Sequence, residues 1–308
     1  MTALASLQAG TITPTSTYVD TGHFKLGTQS YQNAQGASYG TLDLTRALQV
    51  SSDVFFYRLG ALDNDRGAII QREARKLGFG HRTGIDLPGE SPGLVPDSAW
   101  RDRGYAQYAK CTHKYNVPQG TTAALFKCGG IEKRWTPGDN VNLAVGQGDL
   151  EATPLQLAVA YSALENGGTV VRPHLGKAIE DSLGRTVQQI RAKPRRHVHM
   201  SPQYRSVILD GLRRAANEKG GTSADVFAGF PKQYTVYGKT GTAERGINPD
   251  QAWYACFVPD KARPIVVVVT IEKGGFGAET AAPAARLILS NWFDVPDTAF
   301  HAGSSATL

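Results

Sequence analysis

Ile265-Val266-Val267-Val268-Val269-Thr270-Ile271 is an unbroken run of β-branched residues, and such a run is stiff at χ1 and suited to a packed strand rather than a helix. Trp253-Tyr254-Ala255-Cys256-Phe257-Val258 and, before it, Tyr234-Thr235-Val236-Tyr237 have the same character. Short loops join the three, which predicts an antiparallel meander, and a helix is expected over about 280–292. The rest of the chain reads differently. Helical spacing covers Thr2–Ala9, with Leu4 and Leu7 on one face and Gly10 as a stop, then Leu42–Leu48, Val54–Leu59 and 67–77 ending at Gly78. Thr153-Pro154 opens another helix closed by Gly167-Gly168, and Ser201-Pro202 opens one carrying Val207, Ile208 and Leu212. Residues 11–40 read as loop or short strands, and residues 101–140 as a polar, weakly periodic insertion. Helices, then strands, then a helix predict an α/β sandwich, with an antiparallel sheet between helices and a helical subdomain. The domain is expected over 1–293, with a flexible tail over 294–308. Nothing before Met1 caps the first turn of the opening helix, so it reads as the last turns of a longer one.

Of the 308 residues 41% are hydrophobic, enough for a substantial core. No apolar run is long enough to span a bilayer and no leader pattern opens the chain, which is therefore expected to be soluble as given. The net charge of +6 mildly favours anionic partners. Its densest source, Arg191-Ala192-Lys193-Pro194-Arg195-Arg196, reads as a solvated loop with no aromatic platform, so no nucleic-acid partner is expected. Cys256 sits in an apolar strand and reads as a buried thiol. Cys111 and Cys128 flank a polar loop; a disulfide or two free thiols stand ahead of a metal site with His113, which lacks an evident fourth ligand. No metal and no cofactor are expected.

The chemistry concentrates in Tyr237-Gly238-Lys239-Thr240-Gly241-Thr242-Ala243-Glu244. Lys239 supplies a cation, the Thr240 and Thr242 hydroxyls can donate hydrogen bonds, and Gly241 lets a ligand backbone approach. The Thr242 amide is placed to meet a developing oxyanion. Together they suit a carboxylate and an acyl oxygen, whereas the bland reading is a solvated turn at a strand start. A phosphate loop is disfavoured, because Gln233 stands where its first glycine belongs and strand signals lie on both sides. Far upstream, Ser51-Ser52-Asp53 interrupts two helical segments. Alone it reads as a helix cap. Paired with a downstream Lys-Thr-Gly it matches two parts of the S-x-x-K, S-D-N, K-T-G set, and a serine there can relay a proton to a leaving amine. The remaining part is absent: no serine in these 308 residues is followed by lysine three places later.

With those residues in view, the chain resembles the transpeptidase domain of class B penicillin-binding proteins, most closely the elongation type. The resemblance rests on Thr2–Leu7, Ser51-Ser52-Asp53, Thr83-Gly84-Ile85-Asp86-Leu87-Pro88-Gly89-Glu90, Val145-Gly146-Gln147-Gly148 with Ala152-Thr153-Pro154-Leu155-Gln156, and Gly238–Ala243. It implies the penicillin-binding protein and serine β-lactamase fold, a five-stranded sheet from which two N-terminal strands would be missing here. That would leave Ile265–Ile271 as a long apolar edge, open to pairing with another chain. It implies a peptidoglycan D,D-transpeptidase that binds D-alanyl-D-alanine stem peptides and β-lactams. It also implies cell-wall elongation partners and a place on the extracytoplasmic face of the bacterial membrane. By position Ser51 would be the proton-relay serine. Asp53 would stand where many members have asparagine, and Lys239, Thr240, Gly241 and Thr242 would hold carboxylate and acyl oxygen. Without the S-x-x-K serine no acyl-enzyme can form, so the chain as given is expected to be inactive. The alternatives are a pseudoenzyme or cell-wall binding module, then a serine β-lactamase or β-lactam sensor.

Overall fold

A computed structural model describes residues 1–131, 133–191, 193–296 and 299–303. Its first half is helical: α1 (Thr2–Gln8), then short strands β1 (Thr17–Asp20), β2 (His23–Leu26), β3 (Gln29–Gln32) and β4 (Gly40–Asp43). Helices α2 (Leu44–Val50), α3 (Asp53–Asn64), α4 (Ile69–Lys76), α5 (Ser98–Lys114), α6 (Thr122–Cys128), α7 (Pro137–Ala144) and α8 (Pro154–Glu165) follow. Two small hairpin-like pairs use β5 (Thr169–Val171), β6 (Ala178–Glu180), β7 (Thr186–Gln189) and β8 (Pro194–His197). The chain closes with α9 (Pro202–Asn217), β9 (Tyr237–Arg245), β10 (Asn248–Val258), β11 (Ile265–Ile271) and α10 (Ala281–Trp292).

The antiparallel sheet runs β11-β10-β9, so the run of β-branched residues does form an edge, and β9 forms the other. Side chains of β10 alternate between two cores, as a strand buried on both faces requires. Tyr254, Cys256 and Val258 pack with Val226, Phe227, Ala285 and Leu289, while Phe257 packs with Leu7, Val50, Phe55, Val159 and Leu212. Helices on both faces of an antiparallel sheet are the predicted sandwich.

Three readings differ from the sequence analysis. The first strand starts at Tyr237 rather than Tyr234, because the Val236 carbonyl accepts from Asn217 Nδ2 (2.7 Å) instead of from a neighbouring strand. Lys-Thr-Gly therefore lies inside a strand, not in a turn at its start. Residues 101–140, read as weakly periodic, are largely helical: α5 is opened by the Asp97 carboxylate, which accepts from Trp100 N (2.7 Å), and clipped to α6 by a Cys111–Cys128 disulfide. The basic run is a strand rather than a loop over Pro194–His197, with the Arg195 and Arg196 guanidiniums donating to the carbonyls of Arg82 and Arg75. Of the tail expected to be flexible, 297–298 and 304–308 lie outside the described residues; Gly303 N donates to the Ala278 carbonyl (3.2 Å).

Two glycines set distances that matter for the site. Gly60 lets α3 and α7 touch: a Cβ there would lie 2.8 Å from Ala144 Cβ and 2.9 Å from Val141 Cα. Asn140 Nδ2 donates to the Gly60 carbonyl across the same contact (2.7 Å). Gly238 faces the buried Tyr254 ring so closely that a Cβ would overlap the phenol oxygen, and this allows β9 to pair flat on β10 just before Lys239.

Candidate functional site

The joint between α2 and α3 is built from the three polar residues that stop one helix and start the next. Ser52 is the N-cap of α3, its hydroxyl accepting from Phe55 N (3.1 Å). With capping assigned to Ser52, the Ser51 hydroxyl is free for other work. Ser51 closes α2 in the left-handed region, φ 56° and ψ 51°, a conformation that costs a non-glycine residue about 1 kcal/mol or more and collects at functional sites. Behind the joint, Ser52 Oγ donates to Asp20 Oδ2 (2.5 Å). Asn33 Nδ2 reaches both Asp20 oxygens (3.0 and 2.9 Å), and Asn33 Oδ1 accepts from Val54 N (2.9 Å). All three side chains are buried.

In front of the joint stands β9. Lys239 Nζ donates to Ser51 Oγ at 2.7 Å, across 188 residues of sequence, and also to the Thr240 carbonyl (2.9 Å). Thr240 turns inward, its hydroxyl donating to Thr222 Oγ1 (2.9 Å). On the unpaired edge of β9, Gln147 Nε2 donates to the Thr242 carbonyl (3.1 Å) and Gln147 Oε1 accepts from Glu244 N (3.3 Å). Gln147 is held between Gly146 and Gly148, which have φ of 84° and 76°. It thus satisfies backbone groups that a paired strand would otherwise occupy.

The structure therefore brings Ser51 into contact with Lys239, with Thr240, Gly241 and Thr242 following it along β9 and the Asp53 charge close enough to act on Lys239. Asp53 opens α3, and Tyr57 lies one turn further on the same face. Thr222, Gln147 and Tyr57 were not singled out from sequence as site residues; Gly-Gln-Gly directly after a helix was the only signal available for Gln147. His197 and His199, two residues apart in sequence, are not part of the site: the His199 carbonyl accepts from Gln8 and His197 lies in β8. Among the described residues no group of metal-ligating side chains forms, and Cys256 is a buried thiol pushed far up by burial.

Burial dominates the electrostatics. It pulls Lys239 down to about 8, opposed by the Asp53 charge. It pushes Asp53 up to about 7, opposed by Lys239 and reinforced by Glu244 and Asp20. Each group is thus held near neutrality, poised to exchange protons in the working pH range. The same shift has a stability consequence. An unfolded chain ionises Asp53 near 3.8 and the folded one near 7, so between those values the folded state binds the extra proton and stability falls as pH rises. Asp53→Asn removes that liability: we expect a gain of about 2 kcal/mol at pH 8 and little at pH 4, discounted because the side chain keeps some contact with solvent. Urea unfolding at the two pH values checks it, and an equal change at both would refute it.

The Thr83–Glu90 and Ala152–Gln156 stretches serve the frame. Glu90 accepts from Thr83 N and Gly84 N (2.5 and 3.0 Å), and Asp86 accepts from Leu175 N and Gly176 N (2.7 and 3.0 Å). Thr153 and Gln156 form a capping box, with Gln156 Nε2 also holding the carbonyls of His81 and Pro92.

Comparison with known proteins adds to this geometry. A family model described as the penicillin binding protein transpeptidase domain matches residues 1–290. Peptidoglycan D,D-transpeptidase MrdA of Salmonella typhimurium (strain LT2) is 30% identical over 312 residues, covering 95% of this chain and 45% of the relative. MrdA of Escherichia coli (strain K12) is 29% identical over 294 residues, covering 89% and 41%. The structure of Pseudomonas aeruginosa PBP2 in complex with WCK 5153 superposes with a TM-score of 0.74 at 28% identity, covering 98% of this chain and 60% of that one. The chain spans less than half the length of these curated relatives.

Proposed function

Because this chain belongs to the penicillin-binding protein transpeptidase family, we propose that its Ser51–Lys239 cleft is the ligand-binding and proton-handling part of a peptidoglycan D,D-transpeptidase. It would receive the D-alanyl-D-alanine end of a stem peptide and the β-lactams that mimic it. The carrying observation is the 2.7 Å contact between Lys239 Nζ and Ser51 Oγ, which joins the open edge of β9 to the α2–α3 joint. A ligand carboxylate meets the Lys239 ammonium and the Thr240–Thr242 segment, and an extended peptide lies along the edge backbone groups of β9 that Gln147 and Lys239 do not occupy. Ser51 shares a proton with Lys239, whose pKa near 8 suits relay at neutral pH. Ionised Asp53 keeps Lys239 protonated, and near pH 7 it becomes neutral enough not to repel an incoming carboxylate.

Acyl transfer needs an activated serine, and no Ser-x-x-Lys occurs in these residues. The reading for the 308-residue chain is therefore reversible binding without acylation, with a cell-wall binding role as the second reading that this absence favours. A relative seen in a peptidoglycan synthase complex, at 28% identity, supports partners in cell-wall elongation. The Cys111–Cys128 disulfide supports an oxidising, extracytoplasmic setting.

Fluorescent penicillin tests this. We expect saturable binding that unlabelled penicillin or an acyl-D-alanyl-D-alanine peptide displaces, with no label retained after denaturation. Label that survives denaturing electrophoresis would overturn the non-acylating reading, and no binding at all would overturn the cleft assignment.

A further inference from the structure

In an antiparallel ladder the N–H and C=O of one residue point the same way, and alternate residues share an edge. Thr240 and Thr242 stand opposite Tyr254 and Ala252 of β10, and the contacts they make show that their carbonyls face away from β10. Lys239 Nζ reaches the Thr240 carbonyl (2.9 Å), Gln147 Nε2 reaches the Thr242 carbonyl (3.1 Å), and Glu244 N donates to Gln147 Oε1 (3.3 Å). A carboxamide carries both a donor and an acceptor. Gln147 thus fills the edge between Thr242 and Glu244 with the two groups that one peptide unit of an added strand would bring.

The backbone that carries this side chain is fixed. Gln147 N donates to the Asn142 carbonyl (2.9 Å) and Gly146 N to the Leu143 carbonyl (3.0 Å), which closes the end of α7. That helix is pressed onto α3 at Gly60, where Asn140 Nδ2 donates to the Gly60 carbonyl (2.7 Å). The first turn of α3 is capped by Ser52, the neighbour of Ser51. One helix therefore supports both the serine that faces Lys239 and the loop that brings Gln147 to β9.

The direction of a bound peptide follows from the cleft reading, on which this inference rests. A peptide whose terminal carboxylate is at Lys239, and which lies along Thr240–Thr242, runs antiparallel to β9. Its upstream residues head toward Glu244, where the Gln147 side chain occupies the edge. We propose that Gln147 is a specificity-determining stop that ends backbone pairing at Thr242. The protein then reads only the terminal residues of its peptide ligand through β9. The upstream residues turn away from the sheet and add little through strand pairing.

Two neutral acyl peptides test this: acyl-D-alanyl-D-alanine, and the same end extended upstream by about four alanines, roughly 13 Å of strand. Calorimetry gives both affinities for the 308-residue chain and for Gln147→Ala. In the wild type the extension should change affinity by less than about 2-fold. In Gln147→Ala it should tighten binding about 10-fold, because the edge groups of Thr242 and Glu244 become available to the longer backbone. Gln147→Glu keeps the size of the side chain but puts a second acceptor against the Thr242 carbonyl, and should shift the ratio in the same direction. A thermal midpoint checks the fold of each variant. The ratio of the two affinities is the deciding readout, since loss of a purely structural tether weakens both peptides alike and leaves the ratio unchanged. An unchanged ratio in Gln147→Ala, or an extension that already tightens wild-type binding about 10-fold, would overturn the stop and leave the cleft reading intact. Failure of both peptides to bind the wild type would overturn the cleft reading and the stop with it.

Discussion

Replacing Lys239 by methionine should weaken reversible penicillin binding by about 100-fold, the ~2.7 kcal/mol expected of a charge-assisted contact to a carboxylate in a half-buried site. The same substitution should leave the fold intact or raise its midpoint at pH 7. Burial lowers Lys239 to about 8, so below its unfolded value near 10.5 the folded state holds a proton less favourably than the unfolded one, and folding gives up stability to keep the ammonium. Methionine keeps the stem and drops that charge. Thr240 loses only a donor to its carbonyl, which lies on the unpaired side of β9. Loss of binding with unchanged or improved stability separates a ligand-contacting cation from a structural one. Lys239→Arg should not rescue fully, because a planar fork cannot reproduce a point donor shared between Ser51 Oγ and the Thr240 carbonyl. Calorimetric titration beside thermal melts reads both. Retained affinity in Lys239→Met would remove the lysine from the site, and parallel loss of affinity and midpoint would make it structural.

What the sequence made visible and what it hid divides along a physical line. Lys239 and Ser51 were legible because both lie in short motifs whose residue types suit one ligand. The β-branched run at 265–271 was legible because strand preference is local, and its edge position followed from the expected sheet. Residues 101–140 were opaque because α5 buries few side chains, Tyr108 and Thr112 among them, so hydrophobic spacing had little to report. Its helix is set by the Asp97 cap and held by a disulfide whose pairing the sequence left open. Gln147 stood out only as the centre of Gly-Gln-Gly, since tethering β9 through its side chain is a tertiary act. The division of labour between Ser51 and Ser52 was also hidden. Either serine could cap a helix, and only the left-handed backbone at Ser51 shows which one does not.

The most concealed element is the support for that backbone, and it carries the other large effect. Asn33 and Ser52 lie 13 and 32 residues beyond Asp20 in sequence, and nothing in that spacing pairs them with it. In the fold Asp20 accepts from Gly22 N (2.7 Å), from Asn33 Nδ2 and from Ser52 Oγ. Asn33 passes the connection on to Val54 N and to the Ala37 carbonyl (2.7 Å). The end of β1 is thereby locked to the first turn of α3, with Ser51 held between that turn and α2. Asp20→Ala should cost about 3 kcal/mol, because it strands buried donors on Ser52, Asn33 and Gly22. With the support gone, the strain at Ser51 has no reason to persist. Ligand affinity should then fall in the surviving folded fraction even though Asp20 touches no ligand. Asp20→Asn keeps one acceptor but turns an amide toward other donors, and should fall between wild type and alanine. Ser52→Ala should remove the α3 cap and one bond to Asp20, costing about 1–2 kcal/mol. Because Asp20→Ala and Ser52→Ala delete partners of one another, the double variant should cost less than their sum. Urea unfolding of the cycle, read beside penicillin affinity at a temperature where every variant is folded, measures both quantities. Additive stability losses with unchanged affinity would show that the network stabilises the fold without shaping the serine that faces Lys239.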